Sequence, residues 1–428
     1  MTVTVQRLGL VQPLRHRGFR MVWLGETVSM LGDQFYLVAL PWVALALSGS
    51  SLALGLVLMA AAIPRAALML VGGALSDRYD PRTIMIASSA IRATLVAVLG
   101  LLVWTDAAQL WHLYLLGAGF GAADAFFQPA ALALVPRLVP EDRLEASNAL
   151  VMGSMGLAGM VGPAIAGVAV AGLGTALGFG IDAATFAFAV VTLLMVRPRG
   201  KPATAATQAP ATAATQAPPN GTLAAIGAGL RYASSDAQMR TVLLAVMAIN
   251  FAVVGPFFVG LPVLVERFET GPMAYGLVLS AFGAAAVVGA MAAGTLGPRA
   301  RMSIVVPVTS LALGIGMLLI GLAPNAGATA LAALPLGAGV GALQVSGMAW
   351  LQRRSEPAYL GRVMSLVMFA VMGLTPISYV IAGAVAESGV AVLFIGAAAA
   401  MLALGAATSL SRAWHADAAS PMLPAPRH

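Results

Sequence analysis

The chain has 428 residues, of which 60% are hydrophobic and only 9% charged, and its formal net charge is +7. So few polar groups cannot coat a water-soluble globule of this length, which argues against a soluble enzyme or a nucleic-acid-binding domain and makes the lipid bilayer the expected solvent. There is no cysteine, so disulfides and thiolate metal sites are excluded, and the four histidines (His16, His112, His415, His428) show no metal-ligand spacing.

A span needs ~20 mostly apolar residues to cross the hydrocarbon layer. Apolar runs bounded by turn residues predict spans at 19–47, 52–76, 83–104, 111–135, 147–172 and 175–196. A second set follows at 241–265, 273–296, 302–322, 326–350, 362–386 and 389–411. The basic N-terminal stretch is not followed by a short apolar core with a small-residue cleavage site, so the first run reads as a retained span. The predicted organisation is a tail at 1–18, a six-helix bundle at 19–196, a linker at 197–240, a second six-helix bundle at 241–411 and a tail at 412–428. This is an all-α membrane protein with twelve transmembrane helices in two bundles.

Within the linker, Pro202 to Pro218 carries the octapeptide Pro-Ala-Thr-Ala-Ala-Thr-Gln-Ala twice in tandem. Such low complexity cannot bury a core. Leu223, Ile226 and Leu230 then recur at helical spacing, which predicts either a short interfacial helix or a continuation of the linker.

Basic residues segregate across this topology. Twenty fall on one side, Arg267 alone on the other, and Arg65 and Arg92 lie inside spans. Because arginine and lysine are retained in the cytoplasm, both termini are expected there, in a multi-pass protein of the cell (inner) membrane.

The two halves echo each other at an offset of 221 residues: Leu40-Pro41 answers to Leu261-Pro262, and Gly73-x-x-x-Asp77-Arg78 to Gly294-x-x-x-Pro298-Arg299. A duplicated six-span unit places a substrate path between the halves near the bilayer midplane.

On these residues the chain resembles the major facilitator superfamily over essentially its whole length. GGALSDRYDPR, from Gly72 to Arg82, matches the family's gate pattern at Gly73, Asp77, Arg78 and Arg82 and departs from it at Asp80 and Pro81. The resemblance implies that a glycine lets helices approach while Asp77 latches the outward-facing state. Gly162-Pro163-x-x-Ala166-Gly167 looks like the antiporter signature, with Ala158 where an upstream glycine is expected; ordinary small-residue packing explains it equally well. GDQFYLVALPW from Gly32, FFQPAALALVPRLVP from Phe126 and LGRVMSL from Leu360 resemble the branch containing the enterobactin exporter and macrolide efflux proteins. The arginine that many superfamily exporters carry in the fourth span has no counterpart between Leu113 and Leu134.

Ionisable side chains inside spans are costly and mark function by default. The first half holds Glu26, Asp33, Arg65, Arg92, Asp124 and Asp182; the second has none well inside a span. Glu26 and Asp33 are nearly two turns apart and share a helix face, ~10 Å and ~20 Å from the cytoplasmic end, with Arg65 between them in depth at ~15 Å. Burial favours the protonated carboxyl and a nearby guanidinium the ionised one, so movement that changes either contact exchanges a proton. Asp33 is therefore expected to be the main proton-coupling carboxylate, with Glu26 assisting and Arg65 tuning it; the alternative is a permanent ion pair that only holds spans together. Asp124 and Arg92 are expected to form a structural pair, and Asp182 has no assigned partner. In the second half, Asn250, Phe251, Gln344 and Tyr379 offer sparse hydrogen-bonding and aromatic groups in an apolar wall, suited to an amphiphilic organic molecule.

The single lysine, Lys201, lies in the linker, and no phosphate-cradling glycine loop accompanies it, so no ATP-driven step and no cofactor is expected. The leading expectation is proton-coupled export of a hydrophobic or amphiphilic small molecule by a monomer. Movement of a lysolipid or similar amphiphile is the alternative, and a non-transporting receptor or scaffold a third reading that leaves the intramembrane charges without a purpose.

Overall fold

The computed structural model describes residues 11–196, 237–268, 271–297, 301–355 and 360–410. The tails before 11 and after 410, the tandem octapeptides, the expected interfacial helix, and the side chains of Asp77 and Arg362 lie outside the described residues. Among the described residues, twelve helices are long and apolar enough to cross a membrane. Lipid offers backbone groups no hydrogen-bond partner, so each apolar run closes its own i to i−4 ladder.

The first six spans are Arg17–Ser48, Ser51–Arg78, Pro81–Trp104, Leu110–Leu134, Leu144–Leu173 and Thr175–Leu194. Their ends follow local chemistry. Ser50 accepts from the Ala53 amide at 3.1 Å, and Asp80 caps the third helix through the Arg82 amide with Pro81 at the first helical position. Gly49 closes the first helix at φ +63°, a left-handed conformation that glycine adopts without strain.

The last six spans differ more from expectation. The seventh is Ala237–Gly255, one π turn at Pro256–Gly260, then Leu261–Val265. The eighth, ninth and tenth are Gly271–Leu296, Met302–Gly321 and Ala326–Arg354. The eleventh, expected as one run, is two helices, Leu360–Met372 and Thr375–Ser388, because Pro376 lacks an amide proton and starts a new helix. The twelfth is Val390–Leu410.

Two compact units emerge. Residues 11–196 with 271–280 form the first; 237–268, 281–297, 301–355 and 360–410 form the second. In the first, span one packs on spans five and six, span two on span four, and span three on spans four and six. Span one approaches span six through Gly25 and Gly32: a Cβ at Gly25 would stand 3.3 Å from the Ala189 Cα, and one at Gly32 would stand 2.9 Å from Asp182 Oδ1. Glu26 and Asp33 each follow one of these glycines, so the seven-residue repeat that aligns the carboxyls also seats them beside the crossing.

In the second unit, the Ser378 hydroxyl of span eleven is inserted into span seven. It accepts the Gly255 amide at 2.9 Å and donates to the Phe251 carbonyl at 2.6 Å, two groups that an unbroken helix would bond to each other. Gly255 admits the intruder, since a Cβ there would stand 2.5 Å from Ser378 Oγ. The break precedes Pro256 and the π turn, as inserted side chains and prolines predict.

Candidate functional site

The buried charge of the first unit is organised around Asp124 on span four. Its Oδ2 lies 3.0 Å from Arg65 Nε on span two, and its Oδ1 accepts Arg92 Nη1 from span three at 3.2 Å. Arg92 is 4% exposed and its guanidinium lies over the rings of Phe127 and Phe186, 4.3 and 4.4 Å from the centroids. Cation–π contact with two rings replaces part of the lost hydration while the guanidinium donates to carboxylate and hydroxyl, the latter being Ser89 Oγ at 3.4 Å.

The expected Arg92–Asp124 pair is thus present, whereas Arg65 does not bond the carboxyl it was expected to tune. Among the described residues neither Asp33 nor Glu26 has an ion pair within 4.0 Å. Depth alone put Arg65 between them, but span two packs on span four, which turns its guanidinium to Asp124. Glu26 and Asp33 are half-buried, and Glu26 Oε1 is buried with no hydrogen-bond partner. Tyr36, the next turn beyond Asp33, stacks on Phe120 at 4.9 Å and meets Phe179 edge-on at 5.8 Å. The described interior of this unit therefore holds four carboxyls, Glu26, Asp33, Asp124 and Asp182, against two guanidiniums.

The gate motif divides into parts. Arg82 forks onto the end of span six, donating to the Leu193 carbonyl at 2.8 Å and the Leu194 carbonyl at 2.9 Å, at the negative end of the helix dipole. Arg78 is exposed. The close helix approach belongs to Gly72, whose Cβ would meet the Ala125 carbonyl oxygen at 2.5 Å; a Cβ at Gly73 would meet nothing within 4 Å.

The antiporter-like motif sits at a close crossing inside the first unit. A Cβ at Gly162 would meet the Gln34 side chain at 2.5 Å, and one at Gly167 would meet the Pro272 carbonyl oxygen at 2.8 Å and the Gly276 Cα at 3.0 Å. Ser280 accepts the Ala164 amide at 2.8 Å, directly after Pro163 interrupts the ladder of span five.

The four second-half residues are less convergent. Asn250 bonds the Val246 carbonyl of its own helix at 3.0 Å, Gln344 is exposed, Phe251 lends its carbonyl to Ser378, and Tyr379 is half-buried. Sequence reasoning missed Ser378 as a clamp; its only signal was a serine at helical spacing opposite a Gly-Pro step.

Twelve spans in two compact units, with the mid-span charges among the described residues lying in the first, define a transporter of the major facilitator fold. The family model described as transmembrane secretion effector matches residues 9–427, and the chain belongs to that family. It is 26% identical over 404 residues to the multidrug efflux pump Tap of Mycolicibacterium fortuitum, covering 91% of this chain and 94% of that one. It is 22% identical to macrolide efflux protein A of Streptococcus pyogenes, covering 81% and 84%. Among solved structures, the nucleoside transporter NupG (D323A mutant) superposes with a TM-score of 0.73 at 13% identity over 91% of this chain and 98% of that chain.

Proposed function

We propose that the chain exports hydrophobic or amphiphilic small molecules by proton antiport with alternating access, in the cell membrane with both termini cytoplasmic. The observation that carries this reading is the surplus of carboxyls over guanidiniums in the interior of the first unit. Asp124 and the two arginines neutralise one another in part, which leaves Glu26, Asp33 and Asp182 without ionic partners among the described residues. Carboxyls in that position exchange protons more readily than they hold helices together, because an ion pair would already have claimed them. Asp33 is the main coupling group, Glu26 its partner one repeat nearer the cytoplasm.

The efflux names of the relatives support an amphiphilic organic substrate over a sugar, with Asn250, Phe251, Gln344 and Tyr379 as the candidate contacts. The gate motif, Gly73, Asp77, Arg78 and Arg82, and the antiporter-like Gly162, Pro163 and Gly167 are read as parts that move or seal between states.

Everted membrane vesicles test the proposal. Adding a macrolide or another amphiphilic drug to energised vesicles should release lumenal protons through this protein. Redistribution of lipid between leaflets, with no drug-evoked proton release, would replace export by lipid movement.

A further inference from the structure

Asp182 on span six is fully buried, at 0% exposure, and neither carboxyl oxygen has a hydrogen-bond partner among the described residues. The adjacent Thr185 hydroxyl commits its proton to the Asp182 main-chain carbonyl at 2.8 Å. Phe179 and Phe186 lie three residues before and four after it, so all three share one helix face. That face meets spans one and three: Tyr36 lies edge-on to Phe179, and Arg92 lies over Phe186. On span one, Gly32 removes the side chain that would otherwise abut Asp182 Oδ1, and Asp33 is the next residue.

The charged and titratable groups facing Asp182 are therefore Asp33 and Tyr36 from span one and Arg92 from span three, with Glu26 further along span one. The interior of span five, 146–172, carries no ionisable side chain. An ionised carboxylate with no donor in such a place would be a large and uncompensated cost, which favours the neutral carboxyl. Arg92 supplies the complementary observation. Its Nη1 is spent on Asp124, yet its Nε is buried with no acceptor, and no contact within 4.0 Å joins it to Asp182. An unused donor and two unused acceptors thus occupy the same buried region.

We propose that Asp182 is a proton-binding site of this transporter, protonated in the state described and ionised against Arg92 when the proton leaves. In that step the carboxyl O–H bond breaks, the proton passes to water, and the electron pair remains on a carboxylate that accepts the free Arg92 Nε–H. The inference rests on the proton-coupled reading and adds to it a carboxyl on a different span from Asp33 and Glu26.

The test uses the full chain in liposomes, with protons as the probe. Infrared spectra at neutral pH should show a protonated-carboxyl C=O band in the wild type that Asp182→Asn removes and Asp182→Glu retains at a shifted position. Asp182→Asn copies the neutral form and should purify as a folded protein; Asp182→Glu keeps a titratable group should it not. Protons released per amphiphile should be lower in Asp182→Asn than in the wild type, because one of the titrating carboxyls is gone. A band and a proton count unchanged in Asp182→Asn, with drug-evoked release present in the wild type, overturn this inference alone. Absence of release from the wild type overturns the parent reading and this one together.

Discussion

Arg65 Nε stands 3.0 Å from Asp124 Oδ2, tying span two to span four through the same carboxylate that neutralises Arg92. The two arginines are not equivalent. Arg65 is 44% exposed along its side chain and can extend toward a more polar layer, whereas Arg92 at 4% cannot. Replacing Asp124 by Asn should therefore leave a buried, uncompensated guanidinium and cost ~3–5 kcal/mol. Thermal unfolding followed by gel filtration should show a large loss for Asp124→Asn and a much smaller one for Arg65→Gln.

Ser378 satisfies two backbone groups of span seven at once. Ser378→Ala strands the Gly255 amide and the Phe251 carbonyl, each costing ~1–3 kcal/mol when buried unpaired. A fall in melting temperature for Ser378→Ala, and a larger one for Gly255→Ala because its new methyl meets Ser378, are the expected results. Ser378→Thr, which keeps the hydroxyl, should recover part of the loss.

Arg82 bonds two carbonyls that nothing else in its motif reaches. Arg82→Ala should destabilise the protein by ~1.5–3 kcal/mol per charge-assisted bond lost, and Arg82→Lys should restore only part, since an ammonium lacks the planar fork. Denaturant-free thermal shifts on the three proteins check the order.

Neighbouring glycines separate folding from movement. Gly72→Ala should impair folding by forcing the Ala125–Phe126 backbone away, and Gly167→Ala should do so against Gly276. Gly73→Ala meets open space, so its folded yield should match the wild type. If Gly73→Ala folds normally but transports poorly, the motif glycine serves a state other than the one described.

Legibility in the sequence followed what a single helix dictates. Span number, the shared face of Glu26 and Asp33, and the Arg92–Asp124 complementarity all come from length, period and charge within or between runs, and the spans agree with prediction to within a few residues. What faces what across spans was not legible. Arg65 matched Asp33 and Glu26 in depth yet bonds Asp124, because azimuth around the bundle is set by which small residues let which helices approach. Gly25 and Gly32 decide that for spans one and six, and two glycines among 47 carry no label of their partner. The Ser378 wedge was hidden for a related reason: its meaning depends on a missing bond in another helix.

Asp33 carries the proposed coupling of drug movement to the proton gradient. The deciding measurement is uphill drug accumulation in proteoliposomes under an imposed pH gradient, compared with drug–drug exchange at uniform pH, for the wild type and Asp33→Asn. Loss of gradient-driven accumulation in Asp33→Asn with exchange retained is the predicted result. Full pH-driven accumulation by Asp33→Asn would contradict it.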